Sequence, residues 1–305
     1  MGPALTDPLD DRQPARPNSL APFLVLGVAL LAVSHGAIFA RLADAAPLAI
    51  AAWRLGLACL VVLPLAVSAS RPGRLPSGPV ALAAGAGALL ALHFAAWITS
   101  LDYTSIARSV LLVSTAPIWI AVIEFVIGRG APARSTIIAL ACATAGAAVV
   151  SSGGSHGNAS VQGDLLAVAG AIAMAGYLLL SRQAQSALSF RAYLGIAYGS
   201  AALLLWLAVL VTRTPAFGFD ATTWWALAGM ALVSQLIGHS GYNWSLRHLS
   251  PLFVAVALIG EPVLASCLGW WLLGEELDWR TGTGGALILA GIGLSAMAAR
   301  EPRRP

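Results

Sequence analysis

Charge is scarce in this chain. Only 10% of its 305 residues are Asp, Glu, Lys or Arg, where water-soluble domains carry about a quarter. That leaves too little polar surface for a shell facing water, and a soluble globular domain is excluded first. Lysine is absent altogether; all 17 basic residues are arginine. No phosphate loop of the form GxxxxGK[ST] can be completed, so direct ATP coupling is not expected. The arginines are spread over short segments rather than gathered into a patch, which argues against a nucleic-acid partner. Cysteine is limited to Cys59, Cys142 and Cys267, each inside an apolar run and without metal-ligand spacing. They read as buried small side chains, with no metal and no cofactor implied.

What remains is hydrophobic. Apolar residues make up 58% of the chain, gathered in continuous runs long enough to cross a hydrocarbon core about 30 Å thick. The runs fall at about 21–41, 46–68, 78–100, 104–127, 135–152, 163–182, 191–212, 222–245, 250–274 and 281–299. Because they are continuous rather than alternating, they predict helices and exclude a β-barrel. The expected fold is all-α and integral to the membrane, with ten transmembrane helices. Residues 1–20, with Asp7, Asp10, Asp11, Arg12, Arg16 and four prolines, read as a disordered tail rather than a cleaved signal. Residues 300–305 form a second short tail. Asn158-Ala159-Ser160 matches a glycosylation acceptor, a triplet that recurs by chance.

Arginine sets the orientation. Twelve arginines fall on the tails and alternate loops of one side: Arg12, Arg16, Arg71, Arg74, Arg129, Arg134, Arg182, Arg191, Arg247, Arg300, Arg303 and Arg304. The other side holds Arg41, Arg213 and Arg280, with Arg108 just inside the fourth span. This positive-inside bias puts both termini in the cytoplasm.

The chain also repeats itself. Residues 93–150 lie on 238–295 at a constant offset of 145, which pairs Ser100 with Ser245, Pro117 with Pro262, Trp97 with Tyr242 and Ala145-Gly146 with Ala290-Gly291. Each half holds five spans, and an odd number makes the second half enter the membrane from the opposite side. Such inverted repeats are a hallmark of secondary transporters, whose sites lie near the midplane. The halves are predicted at 21–152 and 163–299, joined by the Gly/Ser-rich linker 153–162.

Two stretches carry a family resemblance. Ala91–Trp97, followed by Ser100–Ser105 and Thr115-Ala116-Pro117, resembles the first half of the EamA-type drug/metabolite transporters, and Gly260-Glu261-Pro262-Val263 with Leu273-Gly274-Glu275 resembles their second half. The likeness implies two inverted five-helix EamA repeats forming a basket around a central cavity in a bacterial plasma (inner) membrane. The implied activity is movement of small organic solutes, often outward. In the first half the family's Gly-Glu would fall at 129–130, where this chain has Arg129-Gly130. Expected partners are a small-molecule solute and the lipid bilayer, with a homodimer a permitted assembly.

Ionisable groups inside spans cost about 2.5–3.5 kcal/mol each on insertion scales, so each one present is a candidate for function. Glu261 stands near the middle of its span, beside Pro262, and can carry a proton or bind a cationic group. Arg54, inside the second span, can pair with a carboxylate, either a solute's or Glu261, or anchor helix packing. His93 and Trp97 share a helical face and suit an aromatic or amino-acid-like solute. Gln235, His239, Tyr242 and Asn243 form a polar stripe, facing a cavity or bonding neighbouring helices. Pro117 and Pro262 mark helix breaks. Ser34-His35, Ser109, Ser114, Thr115 and Tyr177 are weaker candidates, because hydroxyls in membrane helices often bond their own backbone. Gly195 and Gly199 point to close helix packing. Glu275, Glu276 and Asp278 read as solvated loop charge. The expected function is a secondary transporter exporting amino-acid-like or drug-like metabolites by alternating access, with Glu261 as the proton-coupling group. The alternatives are a passive channel, or an intramembrane serine hydrolase using Ser240 in Gly238-His239-Ser240-Gly241, which would need a base histidine from another helix.

Overall fold

The computed structural model describes residues 20–68, 75–104, 106–152, 160–273 and 279–298. Among them every element is helical: α1 (Ala21–Ser34), α2 (Gly36–Leu42), α3 (Pro47–Ser68), α4 (Ser77–Ser100), α5 (Ile106–Val113), α6 (Ala116–Val126), α7 (Arg134–Ser151), α8 (Val161–Ala184), α9 (Phe190–Thr212), α10 (Ala221–Gly229), a π-helical stretch (Met230–His239), α11 (Ser240–Ser245), α12 (Pro251–Leu258), α13 (Glu261–Leu273) and α14 (Trp279–Ala298). Six helical runs among these residues have the length and hydropathy to cross a bilayer, and three shorter apolar helices accompany them. The tails, the centre of the linker, Arg71, Arg74 and Gly274–Asp278 lie outside the described residues.

The burial pattern is that of a protein dissolved in lipid. Val211, Trp225 and Leu60 are largely exposed, while Arg54, His93, Gln235, His239 and Asn243 are buried. Apolar side chains cover the outside because lipid tails solvate them, and polar groups turn inward because lipid offers them no hydrogen bonds.

The repeat governs the helix boundaries. Ile106 and Pro251, Ala116 and Glu261, and Arg134 and Trp279 open corresponding helices, each pair 145 residues apart. Pro117 and Pro262 both sit in the first turn of a restarted helix, where the missing N–H has no intrahelical acceptor to lose. The bond Thr115 Oγ1 makes to the Leu112 carbonyl (2.6 Å) satisfies an acceptor at the first break.

Packing obeys the same exchange. A β carbon on Gly146 would lie 2.5 Å from the Gly284 carbonyl oxygen, and one on Gly291 would lie 2.7 Å from that of Ala139. Both the glycines and the carbonyls are related by the 145-residue offset. So α7 and α14 cross backbone to backbone about a pseudo-two-fold axis, at two points that tolerate no side chain. Elsewhere α4, α5, α6 and α8 form one bundle, and α1 with the π stretch, α11, α12 and α13 forms its counterpart, while α3 packs on α9. Gly195 of α9 meets Ala66 of α3 at 2.6 Å from its ideal β carbon, so this glycine lets the two helices close up.

Candidate functional site

A cavity lies between the two bundles. With its opening it holds about 630 Å³ of space free of atoms. Its lining draws on both halves, and much of it is paired by the repeat: Phe94 with His239, Trp97 with Tyr242, Val113 with Leu258, Ser114 with Ile259, and Ala116 with Glu261. Phe94 and His239, equivalent in register, also touch, with ring centroids 5.0 Å apart. The cavity therefore straddles the pseudo-two-fold axis. Its chemistry is unequal, because the second half supplies a histidine and a carboxylate where the first supplies phenylalanine and alanine.

One wall is aromatic. His93 and Trp97 stack nearly parallel at 6.0 Å, as expected for residues one turn apart on α4. His93 Nδ1 lies 2.9 Å from the Gly170 carbonyl, and because a carbonyl only accepts, Nδ1 carries the hydrogen. Gly170 permits this approach of α8, since a β carbon there would stand 3.3 Å from Trp97 Cβ. His239 Nδ1 is bonded to the Tyr242 hydroxyl. The Trp97 indole N–H is buried with no acceptor among the described residues.

Arg54 is the charged feature of the wall, reaching in from α3 with 2% of its surface exposed. Nε donates to Gln235 Oε1 at 2.7 Å. The guanidinium carbon sits 4.1 Å above the centre of the buried Phe94 ring, a cation–π contact. No hydrogen bond from its terminal nitrogens to the protein is found among the described residues. Glu261, half-buried at the start of α13, lines the same cavity and interacts electrostatically with Arg54. The two form no direct ion pair: their charged atoms stay more than 4.0 Å apart. Among the described residues no group of three His, Cys, Asp or Glu is placed to hold a metal ion.

The structure thus brings Arg54, His93, Trp97, His239, Tyr242, Glu261 and Pro117 to one cavity. Gln235 and Asn243 are not in its lining. The stripe is shared out among different neighbours. Gln235 turns to Arg54, and Asn243 turns to α8 and α9. There Asn243 accepts from the Tyr193 hydroxyl (3.0 Å), donates to the Tyr177 hydroxyl and to the His239 carbonyl (2.7 Å), and its own carbonyl accepts from Gln185 Nε2 (3.2 Å). Tyr193 also lies 2.5 Å from Ser181 Oγ. This polar seam ties α8, of one bundle, to α11, of the other. The register equivalent of Asn243 is Ile98, buried and apolar, so the first half has no matching seam.

Ser34 and His35 bond the Leu30 and Leu31 carbonyls of their own helix, Ser109 bonds Ser100 at 2.6 Å, and Ser114 faces the cavity. The partners of Ser240 Oγ are the Tyr198 hydroxyl (3.1 Å) and the Gln235 carbonyl (3.3 Å); no histidine is bonded to it among the described residues. Nothing in the sequence marks Phe94, Tyr193 or Tyr198 for these contacts: Phe94 is apolar, and the tyrosines sit outside any recognisable pattern. Glu275, Glu276 and Asp278 lie outside the described residues.

Comparison with known proteins agrees with the repeat. The sequence profile described as the EamA-like transporter family matches residues 19–152 and again 161–297. The uncharacterized transporter YwfM of Bacillus subtilis (strain 168) is 29% identical over 269 residues, covering 85% of this chain and 88% of its own length. An uncharacterized transporter of Archaeoglobus fulgidus is 24% identical over 270 residues, 87% of this chain and 93% of the other. A crystal structure, described only as that of a protein, shares the fold with a TM-score of 0.76 at 17% identity, covering 94% of this chain and 99% of the other.

Proposed function

The chain belongs to the EamA-like transporter family, and from that premise we propose that it is a secondary transporter exporting small organic solutes, amino-acid-like or drug-like, by alternating access. It spans the bacterial plasma membrane ten times as two inverted five-helix repeats, with both termini in the cytoplasm. The observation that carries this reading is the cavity's position between two bundles that exchange under the 145-residue register. If the halves adopt each other's conformation, the same cavity opens to the other side, which is how inverted repeats alternate access.

Each lining group has a place in that cycle. The aromatic wall of His93 and Trp97 receives the solute's apolar body. Arg54, His239 and Tyr242 supply its polar contacts. Glu261, beside the broken helix at Pro262, takes up and releases a proton as the site changes access, linking export to the proton gradient.

Proteoliposomes with and without an imposed pH gradient test the reading, once comparison of medium from overexpressing and deleted cells has identified a carried solute. The expected result is transport accelerated by the gradient in the wild type, with E261Q still transporting but indifferent to it. Full gradient dependence in E261Q removes Glu261 from coupling. Flux that follows the solute's own gradient without saturating marks a channel instead.

A further inference from the structure

We propose that Arg54 is a carboxylate clamp, so that the cargo of this transporter carries a carboxylate bound by the terminal nitrogens of that guanidinium. The inference deepens the transport reading by naming the chemical class of the cargo.

Three observations converge on it. First, the guanidinium is already held: Gln235 takes Nε at 2.7 Å and the Phe94 ring supports its face at 4.1 Å. Nε and one face are used, and the edge left over is the forked pair of terminal nitrogens. Second, no hydrogen bond from that edge to a protein acceptor is found among the described residues, and Arg54, 2% exposed, lines the cavity. A buried cation with no anion bonded to it is unfavourable, and a fixed fork suits an acceptor with two oxygens. Third, a second buried donor, the indole N–H of Trp97, lines the same cavity without an acceptor.

The surroundings choose between anions. Arg54 is the single arginine in the lining, and Glu261 faces the same space. A phosphate dianion would meet one positive charge and a carboxylate opposed to it, whereas a carboxylate brings one charge to one cation. Gln235 then acts as a positioning residue, its Oε1 holding Arg54 Nε from outside the cavity lining.

The test is thermal protection of the purified, detergent-solubilised protein. The probes are leucine and phenylacetate, compared with leucinamide, phenylacetamide, phenethylamine and phenylphosphonate. The expected result is that the two carboxylates protect the wild type at concentrations at least tenfold below their amides. R54Q should lose that preference, and R54K, which keeps the charge without the fork, should need at least tenfold more carboxylate while its response to the amides is unchanged. If R54Q does not fold, R54K decides alone. The clamp is overturned by equal protection from acids and amides, by protection from the amine or phosphonate only, by no protection from either acid, or by undiminished carboxylate preference in R54K. Counterflow of the same compounds in proteoliposomes separates the two readings. Carboxylates that bind but are never carried defeat transport and leave the clamp; a carried amine with no carboxylate binding defeats the clamp and leaves transport.

Discussion

Replacing Asn243 with leucine removes the centre of the polar seam while nearly conserving volume. Its side chain makes two hydrogen bonds to other helices, with Tyr193 and Tyr177. Between membrane helices such bonds average about 0.6 kcal/mol and reach about 1.7, so N243L should cost about 1.2 kcal/mol, with an upper bound of about 3.4. The hydroxyls of Tyr177 and Tyr193 are buried and lose a partner, which pushes the value upward within that range. Because the seam joins the two bundles at one end, the same energy favours the conformation that keeps them together there. About 1.2 kcal/mol corresponds to somewhat less than a tenfold change in the ratio of closed to open forms. Reversible unfolding in mixed micelles, followed by tryptophan fluorescence, measures the stability term. A double-mutant cycle with Y177F isolates the bond, and its coupling energy should fall at about 0.6–1.7 kcal/mol. A coupling near zero, or a variant of unchanged stability that has lost solute binding, would refute the seam and return Asn243 to the cargo site.

Two further outcomes follow from the fold. Gly291→Val drives a β carbon to 2.7 Å from the Ala139 carbonyl oxygen. The obstacle is backbone, so α7 and α14 must separate, and the cost is at least the roughly 1–3 kcal/mol typical of overpacking. In the same helix Gly293 has nothing within 4 Å of an ideal β carbon, so Gly293→Ala should be neutral or stabilise by up to about 1 kcal/mol; unfolding midpoints of both variants check the contrast, and equal effects contradict the crossing. Ser240→Ala should retain transport of the identified solute, since the Ser240 hydroxyl bonds Tyr198 and the Gln235 carbonyl rather than a histidine. Loss of transport together with a loss of hydrolytic activity would revive the hydrolase alternative.

Much of the architecture was readable from the residues in order. The 145-residue register, found from a few shared residues such as Pro117 and Pro262, reappears in the starts of α5 and α12, α6 and α13, and α7 and α14. It could be read because a proline dictates a helix start locally and a glycine at a crossing leaves a mark in composition. Arg54 and Glu261 stood out for a similar reason. A charge in an apolar run is costly wherever it ends up, so the sequence alone nominates it. The direction of a polar stripe was another matter. Gln235, His239, Tyr242 and Asn243 lie on one stripe, but the helices packed around it decide what each meets: His239 and Tyr242 reach the cavity, Gln235 reaches Arg54 and Asn243 reaches Tyr177.

Sequence, then, determined that this chain lives in a bilayer, that it is duplicated, and which ionisable residues cannot be there for solvation. Tertiary structure decided which of them meet. It set Phe94 beneath Arg54, joined Asn243 to Tyr177 across sixty-six positions, and kept Arg54 and Glu261 on one cavity without pairing them. Those relations rest on helices packing side by side at distances set by glycines such as Gly146, Gly170 and Gly291. No local propensity encodes a contact between segments that are neighbours only after folding.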